Sequence, residues 1–163
     1  MKRIRKFTAL VLAAACAAVM LTACGGGNGS SGKDVSVDAA ALADELNKDT
    51  VTTDTLTETK SDMLPSIYFF EDGQVVDSKA YMSSGSTADE IAVVQCKDAD
   101  TTKDVESLFQ TRVKKQSDLY ATYKAEESDK LKDAIVKSAG SYTVLVVCDD
   151  YDKAEEILKK YGF

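Results

Sequence analysis

The sequence predicts an α+β fold: a single domain whose mainly antiparallel sheet of three to four strands is covered by helices, in the order α-β-β-α-α-β-α. Three observations carry it. Apolar side chains between Thr102 and Tyr123 recur at three- and four-residue steps, the period of an amphipathic helix. Two β-rich runs, Val75 to Met82 and Glu90 to Cys96, are separated by a Ser/Gly turn at Ser83 to Ser86, as in an antiparallel pair. Tyr142 to Cys148 is a continuous β-rich run of the kind a buried central strand has.

The first helix is predicted over Asp38 to Lys48, where Leu42 and Leu46 share a face. Thr- and Asp-rich residues 49–61 read as irregular. Pro65, the only proline, breaks or starts an element. Ile67-Tyr68-Phe69-Phe70, then Asp72-Gly73 and Val75-Val76, reads as a hairpin because Asp-Gly suits a tight turn; a short helix over residues 61–70 competes with it. In the long helix, Val105, Leu108, Phe109, Val113, Gln116, Tyr120 and Tyr123 mark the face, and Thr101 with Asp104 could cap it. A shorter helix is expected from Ser128 to Ser138, with Leu131, Ala134 and Ile135 inward and Gly140 as its stop. Asp149 or Asp150 can cap the last helix, in which Tyr151, Ala154, Ile157, Leu158 and Tyr161 share a face.

Residues 1–23 stand apart from this domain. Lys2, Arg3, Arg5 and Lys6 precede an apolar, alanine-rich run from Ala9 to Met20, which is the plan of a secretory signal. The run falls short of the roughly 20 apolar residues that span a bilayer comfortably. Leu21-Thr22-Ala23-Cys24 resembles the bacterial lipobox, in which the cysteine is acylated and becomes the first residue. Residues 24–33 then form a Gly/Ser tether, and residues 34–163 the domain. Two acyl chains give the double anchor that stable membrane attachment needs. Cleavage would remove four of the 20 basic side chains and no acidic one, leaving 140 residues with 16 basic against 27 acidic groups, a charge of −11. That balance disfavours nucleic acid as a partner.

The chain contains no histidine, which excludes Ser-His-Asp and Cys-His nucleophiles, HExxH metal sites and imidazole acid–base chemistry. No GxSxG motif is present, and the Ser-x-x-Lys match after the signal, Ser30-Ser31-Gly32-Lys33, falls in the Gly/Ser stretch ahead of the domain. No catalytic residues, cofactor or metal are assigned, and a non-enzymatic role is expected. A carboxylate pair for glycoside hydrolysis stays open, although nothing selects one.

Three groups of residues could carry binding chemistry. Arg112 is the only arginine after the signal, and it shares a helix face with Gln116 and Tyr120 at i, i+4, i+8, with Tyr123 beyond. A planar guanidinium there could clamp a carboxylate or phosphate; alternatively it pairs internally with an acid such as Glu90. Asp98, Asp100 and Asp104 follow one strand, and Asp149, Asp150 and Asp152 another. Parallel strands would bring the two sets together for a hard cation, whereas an antiparallel arrangement would separate them. The calcium-loop pattern itself fails, with Lys103 at the turn-glycine position and Phe109 at the closing-glutamate position. Cys96 and Cys148, each at a strand end, could form the domain's one disulfide or remain buried thiols.

Ala88-Asp89-Glu90-Ile91-Ala92-Val93, the helix with Arg112, Gln116, Tyr120 and Tyr123, and Gly140-Ser141-Tyr142 leading to Val144-Leu145-Val146-Val147 and Asp149-Asp150 resemble domain-of-unknown-function family 4358. The resemblance spans roughly residues 38–163. It implies a small lipoprotein of Gram-positive bacteria, lipid-anchored on the outer face of the cytoplasmic membrane, and carries no established activity. Ala125-Glu126 departs from the Pro-acid pair expected after the helix. The functional expectation is a membrane-anchored extracytoplasmic binding or protein-interaction module whose partners are the membrane, through lipid, and another envelope protein or small ligand. The alternatives are a ligand- or ion-capturing accessory lipoprotein and a small carboxylate-based cell-wall hydrolase.

Overall fold

A computed structural model describes residues 37–163; the expected signal, the expected acylation site Cys24 and the expected tether lie outside the described residues. The elements are α1 (Ala39–Asp49), β1 (Thr57–Thr59), a 3-10 turn (Ser61–Met63), α2 (Leu64–Tyr68), β2 (Val75–Met82), β3 (Glu90–Cys96), α3 (Thr102–Tyr120), α4 (Ala125–Lys132), β4 (Ile135–Ala139), β5 (Tyr142–Val147) and α5 (Tyr151–Lys160). The sheet has the order β1-β2-β3-β5-β4, and every neighbouring pair is antiparallel. The fold is α+β as expected, with five strands instead of three or four because an extra strand has been added at each edge.

The period-2 alternation of the central strands divides the core into two layers. Ile91, Val93, Val144 and Val146 face α1 and α5, joined by Val37, Leu42, Leu46, Ile157 and Leu158. Ala92, Val94, Leu145 and Val147 face α2, α3 and α4, against Leu64, Tyr68, Val105, Phe109 and Leu131. Covering both faces explains why β3 and β5 are apolar almost throughout.

Two expectations are corrected. Residues 67–70 are not a strand. Pro65 stands in the first turn of α2, where its missing N–H costs nothing, and Leu64 and Tyr68, four residues apart, are buried on the sheet. Asp72-Gly73 still makes a turn, with Gly73 at φ 73°, but it joins α2 to β2. The second correction is that α4 ends at Lys132 and Ile135–Ala139 becomes β4, paired along β5. Gly140, expected as a helix stop, has φ 58° and turns the β4–β5 hairpin instead. A glycine with positive φ serves either purpose, and the β-branched Ile135 and Val136 decide for the strand.

The caps agree in part. Asp38 accepts from the Ala41 N–H and Asp150 from the Lys153 N–H, each at 3.0 Å. Thr101 makes no side-chain cap; Asp98 instead accepts from the Thr101 N–H and hydroxyl at 2.8 and 2.6 Å.

Candidate functional site

The expected Arg112 stripe is divided by the structure. Glu90 opens β3 on the layer facing α2 and α3, where it meets Tyr68 and Arg112. The Tyr68 hydroxyl donates to Glu90 Oε1 at 2.7 Å, and Arg112 Nε and Nη2 donate to Glu90 Oε2 at 3.2 and 2.9 Å. With its amide oxygen turned to Arg112, Gln116 accepts from Nη1 and Nη2 at 3.1 and 2.7 Å. Burial works against the Arg112 charge, but Glu90 more than offsets this and holds the guanidinium above its ordinary pKa. Burial first, and then Glu90, push the Tyr68 hydroxyl well above its ordinary pKa. The internal pairing with Glu90 is therefore the arrangement present, and the Arg112 fork is occupied rather than presented to an anion.

Tyr120 and Tyr123 serve elsewhere. The Tyr120 hydroxyl donates to the Thr87 carbonyl in the β2–β3 loop, and burial pushes its pKa up to about 12. Tyr123 is exposed beyond the end of α3, its ring 5.3 Å from that of Tyr120.

Between α2 and α3 lies a groove of about 160 Å³, lined by Ile67, Tyr68, Phe69, Leu108, Arg112, Gln116 and Leu119 among others. Phe69 and Leu119 stand at its lips with 64% and 53% of their surfaces exposed. Phe69 ends α2 in the left-handed region, at φ 64°, and is the only non-glycine with positive φ among the described residues. That conformation costs an L-residue with a Cβ roughly 1–2 kcal/mol, and the exposed ring recovers little of it by burial. Lys115 holds its ammonium 4.7 Å from the Phe69 ring centroid. Three further concavities among the described residues are wider, more open to solvent and lined mainly by charged or polar side chains.

A second polar assembly lies at the sheet end where β3 begins and β5 finishes. Lys130 of α4 contacts Asp89 at 2.7 Å, Asp149 at 2.6 Å and Glu127 at 3.5 Å. Asp89 also accepts from the N–H groups of Thr53 and Asp54 and from the Thr87 hydroxyl. Glu127 accepts from the Ala88 N–H and pairs with Lys124. Asp54 gathers the hydroxyls of Ser83, Ser84 and Ser86, which hold it well below the ordinary carboxylate pKa. The Ser83–Thr87 turn is thus a fastened loop, and these carboxylates are matched by lysines and hydroxyls.

Because β3 and β5 are antiparallel, the Asp98 and Asp149 clusters stand at opposite ends of the sheet, and the geometry needed for a shared cation does not arise. Among the described residues no three His, Cys, Asp or Glu side chains converge as a metal-binding group. Of the two alternatives for the cysteines, buried thiols are the arrangement present. Cys96 and Cys148 are free, lie in different core layers and bracket the paired stretch Glu90–Gln95 with Tyr142–Val147. That separates them by about 20 Å along the strands, against the ~7 Å limit for bridged Cα atoms. Burial raises both thiols, Cys148 to about 11.

Thr111, Lys115 and Leu119 carry no reading from sequence, and Leu108 and Phe69 are read there only as a helix-face residue and part of a hairpin. The signal was there in part: Leu108, Arg112, Lys115 and Leu119, at i, i+4, i+7 and i+11, share one face of α3. The opposing wall was hidden because residues 67–70 read equally well as strand.

Together these features define a small α+β domain whose polar clusters are internally paired and which carries an apolar groove between two helices. The chain belongs to the family described as Domain of unknown function (DUF4358), whose sequence profile matches residues 49–148. The matched stretch holds all five strands, α2 to α4, the groove and the Lys130 network apart from Asp149. No curated protein and no solved structure matches the chain.

Proposed function

We propose that the protein is a lipid-anchored extracytoplasmic interaction module, and that it binds a partner protein by seating one of the partner's side chains in the α2–α3 groove. The groove carries this reading. At about 160 Å³ it is smaller than the ~300–1,000 Å³ of small-molecule sites, yet suited to a single large anchor side chain of the kind that dominates protein interfaces. The strained, exposed Phe69 at its lip supports the same reading, since glycine would satisfy that backbone at lower cost. Pairing of Arg112 with Glu90 weighs against anion capture. Pairing of Asp89, Glu127 and Asp149 with Lys130 weighs against a carboxylate hydrolase at that end.

The anchor is read from Leu21-Thr22-Ala23-Cys24 and the preceding signal. Among the described residues no helix is long and apolar enough to cross a membrane. Attachment through lipid would raise the domain's effective concentration toward neighbours on the same surface.

Affinity capture from detergent-solubilised membranes tests the docking reading, using the full chain against a Phe69→Ser/Leu119→Ser variant. One envelope protein should be enriched by the first and lost with the second, while the variant keeps its circular dichroism spectrum. Identical captured profiles would overturn the assignment. For the anchor, Cys24→Ala should abolish processing and acylation; a processed, membrane-bound Cys24→Ala chain would contradict it.

A further inference from the structure

The geometry points to the partner's chemistry: the segment docked in the α2–α3 groove carries a carboxylate beside its apolar anchor, and Lys115 selects it. This rests on the docking reading above.

The polar groups of the groove are donors or are already engaged. Glu90 neutralises Arg112, Gln116 turns its oxygen to Arg112, and the Thr111 hydroxyl donates to the Ser107 carbonyl. What remains are the amide N–H groups of Gln116 and the ammonium of Lys115. Neighbouring Lys114 is paired with Asp118, but Lys115 has no ion pair among the described residues and rests over the Phe69 ring. A positive charge and free donors therefore stand at the rim of apolar walls. An occupant that satisfies them must bring acceptors, and a carboxylate does so with matching charge. The strongly acidic remainder of the surface does not reverse this at contact distance, because salt screens charges beyond about 8 Å.

Other occupants fit less well. Residues 24–33 contain no aliphatic or aromatic side chain other than Cys24. Val35 is two residues from Val37, which is buried in the α1/α5 layer on the far side of the sheet, and two residues reach only about 7 Å. A bilayer fits poorly as well, since the described chain begins at Val37 in that opposite layer.

The test is selection of phage-displayed random dodecapeptides on the full chain purified in detergent, repeated on Lys115→Glu and on Phe69→Ser/Leu119→Ser. Peptides selected by the wild type should carry Asp or Glu within a few residues of Leu, Ile or Phe, and should bind Lys115→Glu about fivefold more weakly. Selection on Lys115→Glu should exchange the acid for Lys or Arg. Peptides that lack an acid and ignore Lys115→Glu, but are lost with Phe69→Ser/Leu119→Ser, would overturn the carboxylate while leaving the docking groove. Peptides indifferent to both variants, or none selected, would overturn both. Sedimentation showing a dimer that Phe69→Ser/Leu119→Ser dissociates would make a second copy the occupant and also overturn the proposal.

Discussion

Replacing Lys130 by methionine should cost more stability than any other single charge removal in the domain. Lys130 is 11% exposed and is the cation nearest to Asp89, whose side chain is fully buried. Methionine keeps most of the stem but leaves Asp89 with three neutral donors, from Thr53, Asp54 and Thr87, and no counter-charge. Glu127 keeps Lys124, and Asp149 keeps the Thr53 hydroxyl. Removing one partner of a buried pair costs about 3–5 kcal/mol, out of the 5–15 kcal/mol that holds a typical domain together. With a urea slope of about 2 kcal/mol/M, the midpoint should fall by roughly 1.5–2.5 M. Far-ultraviolet circular dichroism is the suitable probe, since the chain has no tryptophan. Asn at Asp89 in the Lys130→Met background should return part of the loss, because the unpaired charge goes with it.

The pH profile gives an independent check. Burial raises the Asp149 carboxyl, but Lys130 and Thr53 outweigh it and set it below its ordinary value. Its contribution is then present above the unfolded carboxylate pKa and lost as pH falls through the lowered folded value. Without Lys130, acid unfolding should begin at higher pH. Lys130 is itself opposed by burial and raised by Asp149 and Asp89, so its contribution is complete below the ordinary lysine pKa and lost only as pH rises through the raised one. That alkaline decline should be absent from Lys130→Met. A loss under 1 kcal/mol with an unchanged pH profile would refute the reasoning.

Phe69→Gly should raise stability by up to about 1 kcal/mol through relief of the φ 64° conformation, while abolishing partner capture; a destabilised variant would show that the ring matters for folding instead. Burial, which pushes Cys148 up to about 11 and also raises Cys96, should keep both thiols unreactive to a disulfide reagent near pH ~8 in a folded Cys16→Ser/Cys24→Ser chain, with two equivalents titrating in urea; fewer than two in urea would indicate a disulfide. Gly140→Val should cost roughly 1–2 kcal/mol, because φ 58° in the β4–β5 turn disfavours a β-branched residue, and a neutral result in thermal unfolding would argue against that hairpin.

The elements most legible in the sequence have strong local patterns: α3 from its apolar steps, β3 and β5 from uninterrupted apolar runs, and α5 from its face and the Asp150 cap. The misread elements depend on tertiary burial. Ile67 to Phe70 has strand composition, but Leu64, Tyr68 and Phe70 bury around Phe109, with the Tyr68 and Phe109 ring centroids 4.9 Å apart, and this packing holds the helix. Ile135 looks inward at a helical period as readily as at a strand period. The Glu90 partnership of Arg112 was legible as one of two alternatives, whereas the groove was not, because its second wall belongs to the misread α2. The Lys130 network was illegible for a similar reason: Thr53, Asp89, Glu127 and Asp149 come from four separate segments, joined only by the antiparallel sheet order.

The most direct test of the docking groove is photocrosslinking in native membranes, with benzoylphenylalanine placed in the full chain at Leu119 or, as a control on the opposite layer, at Lys159. An adduct with one envelope protein from Leu119 and none from Lys159 is the expected result. Equal adducts from both positions, or lipid adducts alone from Leu119, would contradict it.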